Sequence, residues 1–509
     1  MARLLSLSAL PRWLAKAMLG VLAMGLAPAG DANSQPVDPA ATAMSFEAAN
    51  RRLESVSATL SGADHATRAA RETAAAVATL NRPVISVSAQ YLEYQKTLSI
   101  DLTGARQEAL DDTQGFLSGL PATVPPAYQD IVGDITGRIS QALPGLFAAI
   151  PDELSYRYRD DVFRPTVQAV LPLYTGGAIT AVKQGAAAGS DMAAARAAQA
   201  RDLARISLIR SYFGQLAAQS LEDSARETRD ALDKLLDDTR RLEAEGFVPR
   251  ARTLEAQVAR DTAERAWQRA RLAHQSARSD LARLLEVDAV QPTTGLFVLT
   301  RPLDPAPAFL ERDSDIPQTR QADAAARVAR AGVDIARSRY RPQAFAFGEY
   351  NLSRDNALPT DPDWVVGVGV RYTLLSNIDR GHALTAAQAN AAAASDAARE
   401  ARNIAIGATL RAWDLVEAAR RSFVLLDSSL AAARENLRVQ QIAFREGEGT
   451  LTTVLGAEAA LAAARSQRIA TAYEYDLALA GLLAASGQLD GFADYLARAD
   501  IRLLPGDQP

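Results

Sequence analysis

Residues 178–244 contain no proline, and their apolar residues return every three or four positions, as at Leu203, Ile206, Ile209 and Leu216. That period predicts one amphipathic helix, about 100 Å long at 1.5 Å per residue. A compact domain has no use for such a rod; a bundle or tunnel of long packed helices does. Residues 250–286, 318–339 and 380–445 have the same Ala- and Arg-rich character and predict three more helices.

Four short stretches break this period. Residues 84–94 alternate Ile85, Val87, Ala89 and Tyr91 with Ser86, Ser88 and Gln90. Residues 163–173 alternate in the same way, from Phe163 and Val167 to Leu171 and Leu173. Residues 343–352 carry a weaker pattern with Phe345 and Phe347. Residues 364–374 put Trp364, Val366, Val368, Val370, Tyr372 and Leu374 on one face and Val365, Gly367, Gly369, Arg371 and Thr373 on the other. Period two predicts strands. Each run of about 10 residues matches a tilted strand crossing a bilayer.

The chain is also an internal duplication. Adding 201 (364 − 163) moves Phe163 onto Trp364, Val167 onto Val368, Leu171 onto Tyr372, Arg210 onto Arg411, Tyr212 onto Trp413, Gly246 onto Gly447 and Leu254 onto Leu455. Upstream the offset becomes 259, which moves Arg82-Pro83 onto Arg341-Pro342 and Tyr91 onto Tyr350. Each half therefore reads helix, strand, strand, long helix, turn, long helix. The change of offset implies an insertion within 95–162 of the first half, rich in proline (Pro121, Pro125, Pro126, Pro144, Pro151). It holds one amphipathic piece, Ile131 to Leu143, and is expected to sit outside the cell over the barrel mouth. The expected organisation is a signal at 1–30, a first repeat at 31–290, a second at 291–488 and a tail at 489–509. In the first repeat the helical hairpin spans 178–286, and in the second 380–487.

Residues 1–30 have the marks of a secretory signal: Arg3, Arg12 and Lys16 precede the apolar run Ala17 to Ala27. No later stretch reaches 18 apolar residues, so a membrane would be crossed by strands. With Cys 0, disulfides, thiolate metal sites and a lipidated N-terminal cysteine are excluded. A formal net charge of −5 without a basic patch speaks against nucleic acid. The three histidines, His65, His274 and His382, have no ligand spacing, and Gly176-Gly177 is not followed by a phosphate-loop lysine. Neither a metal, a cofactor nor an enzyme's nucleophile is expected.

Backbone groups in lipid must all be paired, and four strands cannot close a barrel. Closure therefore requires several chains. Two would give eight strands and a filled interior; three give twelve and a lumen. Trp364, Val366, Val368, Val370 and Tyr372 are expected to face lipid.

Leu171-Pro172-Leu173-Tyr174-Thr175-Gly176-Gly177 resembles the strand-to-helix exit of TolC-family outer membrane factors, the outer membrane efflux proteins. Phe444, Arg445, Gly447, Thr450, Val454-Leu455 and Ala457 resemble that family's hairpin tip, and Glu245 to Val248 the same tip in the first half. The resemblance covers about 45 to 490. It implies a mainly α fold with membrane β: a homotrimer whose 12-stranded β-barrel, four strands per chain, continues as a periplasmic α-helical barrel. It further implies an exit channel for a tripartite efflux pump or a type I secretion system, with a periplasmic adaptor and an inner-membrane pump as partners and no catalytic residue. A trimeric adhesin is the alternative, but that would place its strands at the C-terminus.

Within this resemblance the adaptor-docking tips are Gly246, Phe247, Val248, Gly447, Thr450 and Leu451. The family's two aspartate rings at the periplasmic gate fall here on Thr453 and Gly456, neither acidic. Its Arg–Asp lock falls on Gly449 and Arg252, so a reversed pair of Arg252 with Glu446 or Glu448 is expected.

Overall fold

The computed structural model describes residues 42–101, 153–311, 316–353 and 362–504. The signal, most of the 95–162 insertion with its amphipathic piece, and most of the 353–363 turn lie outside them.

The first described elements are strand β1 (Thr42–Met44) and helices α1 (Phe46–Val56) and α2 (Ala58–Ala78). Strands β2 (Val84–Asp101) and β3 (Glu153–Tyr174) follow, then the helical hairpin α3 (Ala178–Ala244) and α4 (Arg250–Leu284). A short link carries β4 (Val290–Pro292) and β5 (Leu296–Val298). The second half repeats the order with α5 (Pro317–Ser338), β6 (Gln343–Asn351), β7 (Trp364–Arg371) and the hairpin α6 (Arg380–Arg445) and α7 (Leu451–Ala485). Helix α8 (Phe492–Ala497) and strand β8 (Ile501–Leu503) complete the tail. Helices α4 and α7 both have 35 residues and start 201 positions apart (451 − 250).

The helices lie side by side as one layer. Helix α3 packs on α2 and α5 near the sheet, then on α4 and α7 further down, and α6 packs on α5 and then α7. Two side-chain bonds mark the upper half: Arg327 pairs with Asp191 at 2.8 Å and Arg402 with Asp323 at 2.9 Å. In the lower half Arg465 reaches Glu227 at 3.1 Å. Alanine dominates these seams because it lets long rods approach closely and costs no side-chain entropy. No described helix is long and apolar enough to cross a membrane.

Where the upper and lower halves meet, an aromatic core gathers the short elements. Phe46, Tyr212, Phe213, Phe297 and Phe492 pack with ring centroids 5.3 to 6.1 Å apart. The Tyr212 hydroxyl donates to Met44 O at 2.8 Å and accepts from the amides of Thr293 and Thr294 at 3.1 and 3.0 Å. One buried tyrosine thus pins parallel strands β1 and β4 together. Its repeat counterpart Trp413 donates to Asp304 O at 2.9 Å, holding the corresponding link of the second half. The tail returns to this core through β8, antiparallel to β5.

Two boundaries correct the sequence expectation. Strands β2 and β3 continue together to Asp101 and Glu153, so 95–101 and 153–162 belong to the sheet and not to an inserted loop. Apolar residues continue to alternate there, as Leu98 and Ile100 on one strand and Leu154, Tyr156 and Tyr158 on the other, but Lys96 and Asp160 interrupt the period, and the alternate positions are polar, with Glu93 and Arg159 at 2.6 Å. Strand β7 stops at Arg371, which leaves Tyr372 and Leu374 in the connection to α6.

Candidate functional site: the sheet faces and the hairpin tips

Strands β2, β3, β6 and β7 pair in that order as one antiparallel sheet, so β3–β6 joins the two repeats and β2 and β7 are open edges. The register pairs Val87 with Val167, Val167 with Tyr350 and Tyr350 with Trp364. Alternation then assigns every residue to a face. One face carries Ile85, Val87, Tyr91, Phe163, Trp364, Val366, Val368 and Val370, and Val366 is 73% exposed. Exposed β-branched residues in such number need an apolar medium beside them. Aromatic residues bound the band: Tyr91, Phe163, Tyr350 and Trp364 at one end, Tyr174 and Tyr372 at the other. Beyond Tyr91 the same face turns charged at Glu93, Asp161 and Arg159.

The opposite face is built differently. Ser88 and Thr166 share a hydrogen bond at 2.9 Å, and Arg164 pairs with Glu349 at 2.9 Å. Gln168 donates to the same carboxylate at 3.4 Å. Nearer the helices this face carries Phe345 and Phe347 over Gly369 and Gly367. The sequence expectation of a small or polar inner face on β7 is therefore half right: the glycines are small because phenyl rings from β6 occupy their space.

The sheet hands over to α3 through Gly176 and Gly177, at φ +65° and +96°. A Cβ on Gly176 would lie 2.8 Å from Ser338 O and 2.9 Å from the Arg341 Cβ. Arg341 donates to Gly176 O at 3.1 Å. The exit motif is thus a close backbone crossing of the two repeats.

At the far end both hairpins turn in the same way. Gly246 and Gly447 take φ +82° and +79°. The Phe247 amide returns to Leu242 O and the Glu448 amide to Ala443 O, each at 2.9 Å, which closes a Schellman cap. Thr450 caps α7 by accepting from the Thr453 amide. Phe247 is 74% exposed and Val248 half-buried. Leu451 differs from its expected role: it is buried with Leu236 and Ala256 under the tip, because the first turn of α7 faces the hairpin seam. It supports the tip and presents no surface.

Between the ends of α3 and α6 runs a groove of about 1210 Å³. Its apolar lining comes from Leu235, Leu242, Phe247, Val248, Phe444 and Val454, and its charged lining includes Asp238, Arg241, Arg445 and Glu446. Thr453 and Gly456 lie exposed on α7 beside it. The reversed lock does not form within the chain. Arg252 pairs with Glu255 on its own helix at 2.9 Å and donates to the Thr452 hydroxyl at 3.2 Å, since Glu255 is one turn away while Glu446 and Glu448 stay exposed. Thr452 links the hairpins at this level, accepting from Arg252 and donating to Glu255 at 3.5 Å.

Among the described residues no three His, Cys, Asp or Glu side chains gather as a metal site. His274 Nδ1 sits 2.8 Å from Glu222, and His382 lies at the first turn of α6. Asp476 is a fully buried carboxyl beside the aromatic core. Burial pushes its carboxyl well up, and the Phe297 amide partly offsets this without closing a hydrogen bond.

Comparison with known proteins places this geometry. Residues 310–488 match the family model described as outer membrane efflux protein. A search of curated proteins finds no match. Among solved structures, a membrane protein from Pseudomonas aeruginosa superposes with TM-score 0.67 at 14% identity, over 87% of this chain and 90% of that one. The outer membrane protein VceC from Vibrio cholerae gives 0.66 at 14% identity, over 87% and 96%. The CmeC outer membrane channel of Campylobacter jejuni gives 0.65 at 13% identity, over 89% and 88%. Residues 310–488 thus carry the outer membrane efflux protein domain, and the chain has the fold of the TolC-family outer membrane channels.

Proposed function

We propose that three copies of this chain form the outer-membrane exit duct of a tripartite export assembly, which conducts solute passively from a periplasmic adaptor and an inner-membrane pump to the outside. The observation that carries this is the sheet: four strands with one apolar face, a second face that is polar in its upper part, and two unpaired edges. An open edge in lipid leaves backbone groups without partners, so β2 of one copy must pair with β7 of the next. The helical layer makes the same demand. Its outer helices expose Leu254, Val258 and Leu272 on α4 and Ile404, Leu415 and Leu425 on α6, which neighbouring copies would cover.

The apolar groove at the tip is the adaptor's seat in this proposal, with Phe247 as its exposed anchor. Conduction needs no catalytic group; the pump supplies the energy. The second sheet face and the uncharged Thr453 and Gly456 would line the path. Because no aspartate stands at either position, trivalent cations should block the entrance poorly. Single-channel recording in a planar bilayer tests the proposal. Purified protein should give discrete, long-lived conductance steps; protein that inserts and passes no current would refute it.

A further inference from the structure

We propose that the inner face of the barrel carries an amphipathic collar of Phe345, Phe347 and Arg371 that binds small aromatic anions on their way out. This rests on the channel proposal above and names the class of solute it favours.

The inner surface of an aqueous barrel is ordinarily polar. Here it is polar only in its upper part, where Ser88, Thr166, Gln168, Arg164 and Glu349 bond to one another. Toward the periplasmic end the register brings apolar residues to two successive levels: Val170 opposite Phe347, with Gly367 beyond it on β7, and Pro172 opposite Phe345, with Gly369 beyond it. The phenyl rings lie against the backbone of β7. A Cβ on Gly369 would come within 2.6 Å of Phe345 Cζ, and one on Gly367 within 2.9 Å of Phe347 Cζ. The two rings are 6.1 Å apart and tilted by 46°. Covering glycine accounts for the rings' seats but not for the charge beside them.

That charge is Arg371, whose guanidinium stands 5.5 Å from the Phe345 ring centroid. Arg164 on the same face is neutralised by Glu349, whereas Arg371 has no carboxylate partner among the described residues. An aromatic surface plus an unpaired cation complements a planar ring bearing a carboxylate or sulfonate. Three copies would place six phenyl rings and three guanidinium groups around the lumen, so a passing solute meets the collar from every side. Aromatic contact supplies the dwell time and Arg371 the sign of charge.

The test uses the trimer in a planar bilayer with 2-naphthalenesulfonate as the probe. Methanesulfonate lacks the ring, and 1-methylquinolinium has a fused ring with the opposite charge. Wild type should show concentration-dependent blockades with naphthalenesulfonate and much weaker ones with both controls. Phe345→Ala with Phe347→Ala should weaken block about tenfold, while Phe345→Tyr with Phe347→Tyr, which keeps the glycines covered, should retain it. Arg371→Gln, at the exposed end of the strand, should erase the preference over quinolinium. An open wild-type channel that naphthalenesulfonate does not block overturns the collar and leaves the channel standing; absence of any channel overturns both. Unchanged selectivity in Arg371→Gln overturns the collar even if the alanine variant fails to assemble.

Discussion

Glu417 ties α6 to the link between the repeats, and replacing it with glutamine should weaken that tie. Its carboxylate accepts from Arg420 at 2.6 and 2.7 Å and from Arg421 at 2.8 Å. Arg420 in turn donates to Thr300 O at 2.6 Å, so the pair anchors the segment after β5. The Glu417 side chain is only 9% exposed and that of Arg420 11%. Hydrogen bonding from Arg420 is the main force that draws the carboxyl from 4.5 down to about 2. That shift corresponds to roughly 3 kcal/mol at 1.36 kcal/mol per unit. A lowered carboxyl pKa stabilises the fold above about pH 4.5 and loses that effect as pH falls toward about 2. Glu417→Gln also strands a buried guanidinium, which retains its bond to Thr300. Melting of the purified protein in detergent should show a loss of about 2–3 kcal/mol at pH 7, and a flatter stability curve between pH 5 and 3. A variant with the wild-type melting temperature and the same acid dependence would refute the reasoning.

Further perturbations separate the parts of the molecule. Gly176→Ala meets both a positive φ and a 2.8 Å approach to Ser338 O, whereas Gly246→Ala and Gly447→Ala meet open space. The first should abolish assembly on a heated gel, and the others should cost only about 1–2 kcal/mol. Glu286 holds φ +50° at the end of α4, where the second repeat has Gly487, so Glu286→Gly should raise the melting temperature. Burial raises the Asp476 carboxyl well above its usual range, so the unfolded chain ionises first; stability should fall as pH rises above about 4, and Asp476→Asn should raise the melting point at pH 8. Phe247→Asp should abolish export from cells while leaving trimer and insertion intact, and normal export would count against docking at the tip. Arg252→Glu removes the Arg252–Thr452 link between the hairpins, so the resting conductance should rise; an unchanged value would show that the link does not hold the tip closed.

The long helices were legible because hydrophobic period and proline absence act over dozens of residues. The expected 178–244 and 380–445 match α3 and α6 end for end. Glycine marked both tips, since the cap needs a positive φ there. The aromatic core escaped because β1, β4, β5 and β8 have three residues each, too few to show a period. The repeat did point toward it: Tyr212 aligned with Trp413, and both pin a link between the halves. Leu451 is buried rather than presented, because sequence proximity to a tip does not say which way the first helical turn faces. Phe345 and Phe347 looked like a weak strand pattern; only the register showed them filling the space above Gly369 and Gly367.

The central claim is that the sheet's open edges, β2 and β7, close only between copies. Native mass measurement of the detergent-solubilised protein tests it most directly. The account predicts a single species of three chains that persists on dilution; a stable single chain with the same secondary structure would contradict it.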